Sequence, residues 1–250
     1  MAWVSRKMGQ FTYFSQQVGE SIWRGKKVLD FGGNIGNLLK DPNSNIAPED
    51  YWCIDVDRDA LDRGQAVYPK SHWVFYDRYC FFFNPHGVPN LTLPQVDQSF
   101  DYIVAYSVFT NTTQTDMVQL VEQLERLLAP NGTFAFTFID PNYFSWPGQY
   151  RGNNFQWRLE REEELAGERG DTLNLNKPEL MQRAQRANWL MLVNSNDLYI
   201  ETEAIQPYEP EQQRTCHTFY TEEYMKNLFP HAAVLAPVND EMQHCCLIRN

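Results

Sequence analysis

The chain has 250 residues, 43% of them hydrophobic and 21% charged, which excludes a disordered tail or a fibre and suits one α/β domain with a sizeable insertion. A formal net charge of -11 leaves no basic footprint for nucleic acid, the densest basic spot being Arg24, Lys26 and Lys27. No run nears the roughly 18 apolar residues of a membrane span, and residues 1–10 lack a secretory signal. The five cysteines, Cys53, Cys80, Cys216, Cys245 and Cys246, form no C-x-x-C pair; they read as free thiols of a cytoplasmic chain, with neither a metal cage nor a redox dithiol.

In chain order, residues 1–24 carry Trp3, Phe11, Tyr13, Phe14 and Trp23 and read as an N-terminal helical segment closing one side of the core. Residues 27–31 are an apolar run ending in Gly32-Gly33, and 35–40 read as the start of a helix. Further apolar runs fall at 51–56 (YWCIDV), 73–76 and 100–108 (FDYIVAYSV), with a helical stretch at 58–66. Over 116–128, Met117, Leu120, Val121, Leu124, Leu127 and Leu128 make a helical stripe. Pro130-Asn131-Gly132 stops it, and 133–139 (TFAFTFI) is a fifth strand. Strands alternating with helices imply βαβ units and a mainly parallel sheet, and near-continuous apolar runs suit strands covered on both faces. After Asp140 the rhythm breaks: helices are expected at 155–166 and 178–186, and a hairpin at 189–193 and 198–204. It returns with a helix opened by Thr221-Glu222-Glu223, then two strands, 232–238 and 243–248, joined by a short turn. This divides the chain into an N-terminal segment 1–24, a core of 25–140 and 217–250, and an inserted cap 141–216.

The segment 28–37 (VLDFGGNIGN) is strand, glycine turn, helix. Glycines reach φ > 0 and let backbone approach a ligand, and a helix N-terminus behind them suits a carboxylate. Asp55, at the end of the second strand, is placed to accept hydrogen bonds from both hydroxyls of a ribose. A nucleoside-bearing ligand follows from these residues alone, although a lone glycine turn is weak.

The set as a whole resembles the class I S-adenosylmethionine-dependent methyltransferases. Asp30 to Gly36 resembles their D-x-G-x-G-x-G loop, Ile54-Asp55-Val56 their ribose-binding acid, Ser107-Val108-Phe109-Thr110 and Pro130-Asn131-Gly132 the regions around their fourth and fifth strands, and Phe219-Tyr220-Thr221-Glu222-Glu223 their late helix start. The resemblance implies a doubly wound, mainly parallel seven-stranded Rossmann-like sheet ending in an antiparallel hairpin, with S-adenosyl-L-methionine as donor and S-adenosyl-L-homocysteine as product. It implies cofactor contacts at Asp30, Gly32, Gly33, Asn34 and Gly36, at Asp55 and Val56, at Asp77 for the adenine amino group, and at Tyr106. Two positions depart from the pattern. Asn34 replaces the middle glycine, and Asn111 stands where a histidine is frequent. Asparagine tolerates left-handed backbone, so the turn survives, yet both departures keep open a member of the fold that binds the cofactor without methylating.

Asp57 and Asp59 are more simply helix caps than ligands. Asp140-Pro141-Asn142-Tyr143 is similar to the D-P-P-Y loop of DNA amino-group methyltransferases, but it follows strand five rather than four, and that reading is set aside. For an acceptor proton the candidates by type are His217, Asp140 and Tyr143, then His86 and His72. The acceptor is expected to be a small molecule or peptide-like metabolite held among aromatics such as Tyr143, Phe144 and Trp146 of the cap, with oxygen methylation ahead of nitrogen. The aromatic content of 14% also fits a merely large core. The hairpin near 189–204 could pair two copies into a homodimer. As a pure ligand contact, Asp55 would contribute affinity and nothing to the ligand-free stability.

Overall fold

In the computed structural model, which describes residues 8–80, 83–143, 154–168, 177–186, 189–194, 198–201, 216–238 and 241–250, strand β1 (Val28–Phe31) is buried at all four positions. Parallel neighbours flank it: β2 (Tyr51–Asp55) on one side and β4 (Phe100–Ala105) on the other. Outside these lie β3 (His72–Phe75) and β5 (Leu128–Phe138), both parallel to their neighbours. The last strand, β10 (His244–Arg249), enters antiparallel between β5 and β9 (Ala233–Leu235), and the order is β3-β2-β1-β4-β5-β10-β9. This is the seven-stranded, mainly parallel sheet with an antiparallel C-terminal hairpin that the residues implied.

The period-2 alternation of side chains sorts each strand onto two covered faces. Leu29, Phe31, Ile54, Ile103, Phe134, Phe136, Phe138, Cys246 and Ile248 pack on one face with helix α3 (Gln114–Glu125) and helix α6 (Glu222–Leu228). The α3 stripe is Met117, Leu120, Val121 and Leu124, all buried. Val28, Tyr51, Cys53, Val104, Ala135, Cys245 and Leu247 pack on the other, against helix α1 (Gln10–Val18) and Leu61 of helix α2 (Arg58–Val67).

Two local expectations are corrected. Residues 34–40 form hydrogen-bonded turns, not a helix, because Gly36 sits at φ 80, outside helical geometry. Pro130-Asn131-Gly132 lies inside β5 as an irregularity rather than before it. Asn131 is left-handed at φ 63, the pairing with β4 shifts register, and a Cβ at Gly132 would stand 2.7 Å from the Phe100 carbonyl oxygen.

Helices α4 (Asn154–Glu168) and α5 (Lys177–Arg186) occupy the stretch after Asp140. The expected hairpin is present as β6 (Trp189–Asn194) and β7 (Leu198–Glu201), and β8 (Cys216–Tyr220) pairs with β6 on its other side in a separate three-stranded sheet. Its turn and the aromatics Phe144 and Trp146 lie outside the described residues.

Helix α1 has no capping side chain of its own, since Gly9 holds the N-cap position. Asp41 caps it from a distance: Oδ2 accepts from Thr12 N (2.7 Å) and Oδ1 from Thr12 Oγ1 (3.1 Å) and Asn43 N (3.0 Å). Any Cβ at residue 9 would fall 2.1 Å from Asp41 Oδ2, so the glycine leaves room for the cap. Asp41→Ala is expected to cost about 1–2 kcal/mol of unfolding free energy, read as a lower urea midpoint at unchanged slope. An unshifted midpoint would show that the cap is dispensable.

Candidate active site

The carboxyl ends of the parallel strands gather the first half of the expected site. Gly32 (φ 72) and Asn34 (φ 55) are both left-handed, so Asn34 does take the conformation its type tolerates. Gly32 N donates to Ile54 O (2.8 Å), fastening the loop to β2. Asn34 N donates to Asp55 Oδ2 (2.7 Å), and Asp57 N donates to Asp55 Oδ1 (2.9 Å). One carboxylate therefore holds both the glycine loop and the segment that opens α2, where Asp57 caps Ala60 N (3.0 Å) as expected of it. Burial pushes the Asp55 carboxyl above the usual carboxylate range, and the amides of Asp57 and Asn34 work against that rise. Each oxygen accepts one of these amides and the Val56 amide adds to them, and a carboxylate so placed can also accept from ribose hydroxyls.

Asp30 is buried beside them and accepts from the Tyr51 hydroxyl (2.7 Å). Burial, and then the Asp30 charge, raise the Tyr51 hydroxyl well above its ordinary pKa and keep it a donor. The glycines are needed for contact inside the protein as well. A Cβ at Gly32 would meet Val108 Cγ2 at 2.4 Å, and one at Gly33 would meet the Asp30 carboxylate at 2.6 Å and the Tyr51 hydroxyl at 2.8 Å. Gly36, at the far end of the loop, faces Trp73 and Tyr68. Because 34–40 is turns, no helix terminus stands behind the loop, and the N–H groups of Gly32, Asn34 and Gly36 already donate within the protein.

Val56 packs half-buried on the α3 face. Tyr106 follows β4, donates to Glu241 Oε2 (3.1 Å) and packs edge-on against Tyr13 and Phe14 of α1. Ser107 is left-handed (φ 59), and Asn111 donates its side-chain amide to Ser107 O (2.9 Å), bracing the turn that Val108 belongs to. Asp77 is exposed and bonded to Asn84 Nδ2 (3.0 Å). The sequence reading missed its buried neighbours: Arg78 pairs with Asp116 at the start of α3, and Arg78 Nη1 donates to Leu91 O (2.6 Å), which also accepts from the Tyr76 hydroxyl. An arginine two residues past a short strand carries no pattern that announces such a pairing.

The second half of the site lies at the end of β5. Asp140 is buried, with Oδ1 accepting from Asn142 N (2.7 Å) and Oδ2 from Glu222 N (2.9 Å), the latter at the start of α6. Its geometry is that of a joint between two segments. Tyr143 lies edge-on to His244, ring centroids 4.9 Å apart. His217, on β8, pairs through Nε2 with Arg158 of α4. Burial first, and the Arg158 cation second, hold the imidazole well below its ordinary pKa, so it is neutral near pH 7. His72 stands at the amino end of β3, the opposite edge of the sheet, stacked on Trp52, and His86 is exposed in the loop after β3; neither joins the site. His244, which the sequence reading did not single out, does. Among the described residues, no three His, Cys, Asp or Glu side chains gather as a metal cluster.

Residues 29–134 match the family model described as "Methyltransferase domain". No curated protein sequence matches the chain. Among solved structures, the glycopeptide N-methyltransferase MtfA complexed with S-adenosylhomocysteine aligns over 100% of this chain and 92% of its own at 10% identity and a TM-score of 0.50. A S-adenosylmethionine-dependent methyltransferase from Clostridium acetobutylicum aligns over 89% of this chain and 82% of its own, at 12% identity and a TM-score of 0.46. PKMT2 from Rickettsia typhi, in complex with AdoHcy, is 22% identical over 46% of this chain with a TM-score of 0.34, and this chain spans 21% of that protein. At these identities the likeness is one of fold.

Two expectations follow from the geometry. Asp55→Ala strips the partner from two backbone N–H groups, so it destabilises the ligand-free protein by about 1–3 kcal/mol, contrary to a residue that only touches ligand. Urea unfolding without ligand checks this, and an unchanged midpoint would return Asp55 to a ligand contact alone. His217 binds its proton more weakly folded than unfolded, so its contribution is present above about pH 6.5 and is lost as pH falls through that value, by up to about 1.4 kcal/mol per unit. His217→Gln should remove that part of the acid slope when unfolding is compared at several pH values, and an identical slope in the variant would contradict it.

Proposed function

We propose that the chain, which carries a methyltransferase domain on this fold, is a class I S-adenosylmethionine-dependent methyltransferase that moves the donor's methyl group to a small-molecule or peptide-like acceptor at the carboxyl ends of β4 and β5. The observation that carries the donor assignment is the Asp55 carboxylate, buried at the end of β2 and joined to the glycine loop through Asn34 N, where it can accept from a ribose. Asp30, Gly32, Gly33, Asn34 and Gly36 take the methionine end in this reading, and Val56, Asp77 and Tyr106 the nucleoside end. When bound, the sulfonium supplies an already activated methyl group. The chain's own task is alignment and exclusion of water, which is worth roughly 7–11 kcal/mol in favourable cases.

We place oxygen before nitrogen as the acceptor atom. The end of β5 offers a neutral imidazole at His244 and β8 a second at His217, while the carboxylates that would hold an ammonium cation already have partners: Asp140 two backbone amides, and Glu222 the Lys226 ammonium. Residues 141–216 supply acceptor specificity in this reading, with Tyr143 as its described aromatic. The edge strand β7 of the smaller sheet is where a second copy would pair. A cytoplasmic setting suits the free thiols of Cys53, Cys80, Cys245 and Cys246. Asn34 and Asn111 favour no separate, non-methylating reading, because one completes the Asp55 clamp and the other braces the Ser107 turn.

Calorimetry with S-adenosylhomocysteine tests the donor site. The unmodified chain should bind it, and Gly33→Ala, whose Cβ displaces the Asp30 carboxylate, should lose at least about tenfold in affinity, or about 1.4 kcal/mol. Absence of binding by the unmodified chain would refute the donor assignment. Equal affinity in a folded variant would move the site away from the loop.

A further inference from the structure

His244 is the first residue of β10 and lies in register with Phe138, so the antiparallel insertion of this strand brings it to the carboxyl end of β5. Its side chain is only 3% exposed. The ring stacks on Phe138 (centroids 5.1 Å apart, 29° between planes) and meets the Tyr143 ring edge-on. Nδ1 has no hydrogen-bond partner, although it is buried. Buried polar atoms of folded proteins are nearly always satisfied, and one left open at the ligand-binding edge of an α/β sheet is available to a ligand.

We propose that His244 is a catalytic residue that accepts the acceptor's proton at Nδ1 during methyl transfer, an inference that rests on the methyltransferase reading and adds the proton's destination to it. The tautomer follows from the surroundings. Nε2 lies 3.9 Å from Glu222 Oε2, so the carboxylate side of the ring is the favourable place for the resting proton, and Nδ1 keeps its lone pair. Among the described residues, the charged groups that face the ring are Asp140 from the end of β5 and Glu222 and Lys226 from α6, with Tyr143 a further titratable neighbour. Burial lowers the imidazole below its ordinary range and leaves it neutral, Asp140 and Glu222 favour the cation that forms on proton uptake, and Lys226 opposes it. In the step itself the acceptor's oxygen or nitrogen forms its bond to the methyl carbon, that carbon's bond to sulfur breaks with the electron pair going to sulfur, and the acceptor's proton passes to Nδ1. The imidazolium then returns the proton to water. No oxidant or further reactant is needed.

Two measurements on the full chain decide the matter. In long-range proton–nitrogen spectra of histidine-labelled protein saturated with S-adenosylhomocysteine at pH 7.5, His244 should be neutral, with Nε2 protonated and Nδ1 bare. A protonated Nδ1 overturns the proposal, whatever the acceptor. In turnover with S-adenosylmethionine and a panel of simple phenols, followed by S-adenosylhomocysteine release, the rate should rise with pH along a limb below the usual imidazole value of about 6.5. His244→Gln should lose about 10²–10⁴-fold in kcat together with that limb, and keep S-adenosylhomocysteine affinity within about twofold of the parent. His244→Phe, which retains the stack on Phe138, should show the same loss. Either variant turning over at the parental rate, or keeping the limb, would show that the ring only packs. Failure of the unmodified chain to bind S-adenosylhomocysteine would overturn the donor reading, and the proposal with it.

Discussion

The Asp55 carboxylate is the constraint on which the donor side of the molecule depends. Three pieces of chain arrive at it: β2 supplies the residue, the glycine loop supplies Asn34 N, and the turn into α2 supplies Asp57 N. Burying a carboxylate is unfavourable unless its oxygens are satisfied, and here two backbone amides satisfy them before any ligand enters. The loop's left-handed residues are thereby held in shape by the group to which the proposed function gives the ribose. In the proposed reading such a site has little ordering left to do when the cofactor arrives, which is where binding affinity is otherwise lost.

Much of this was legible in the residues because it rests on local rules. The apolar runs located the strands, the Met117–Leu124 spacing located α3, and the order of elements implied the inserted antiparallel strand. What escaped depends on contacts between distant segments. The stretch at 34–40 has helical composition, but a left-handed Gly36 keeps it in turns. Pro130-Asn131-Gly132 signals a break by type, yet the sheet absorbs it within β5 by shifting register. The Arg78–Asp116 pair joins residues 38 apart in sequence. His244 reads as one histidine in a strand, and only the register with Phe138 brings it to the functional edge. Asp140 shows the converse. Its place after a strand and its residue type suggest chemistry, while its bonds show a carboxylate spent on holding Asn142 and the first turn of α6.

The two ends of the sheet's carboxyl edge thus divide their work by chemistry. On the β1–β2 side, acids buried among backbone amides and a tyrosine hydroxyl make a rigid acceptor surface. On the β5–β10 side, Asp140 fixes the backbone and the His244 imidazole stands neutral among aromatic rings. The rings lower the local dielectric, which depresses the basic strength of this imidazole and strengthens whatever polar contact it makes. Between the two sides, Ser107 N donates to Thr137 Oγ1 (2.8 Å) and Thr137 donates to Gln243, linking the ends of β4, β5 and β10 in one chain of hydrogen bonds.

The position of β10 also governs how the molecule can come together. It pairs with β5 along six residues, His244↔Phe138 to Arg249↔Thr133, and β9 reaches the sheet only through it. The half built from β1 to β5 can form from neighbouring segments as the chain emerges. The other edge must wait for residues that lie more than a hundred positions downstream of their partners, and closing so long a loop is entropically unfavourable before its contacts form. Until then β5 presents an open, strongly aromatic edge containing Phe134, Phe136 and Phe138, the kind of surface on which nascent chains aggregate. Synthesis of this protein therefore passes through an interval in which its most adhesive strand is complete and uncovered, and the speed with which β10 docks sets how long that interval lasts.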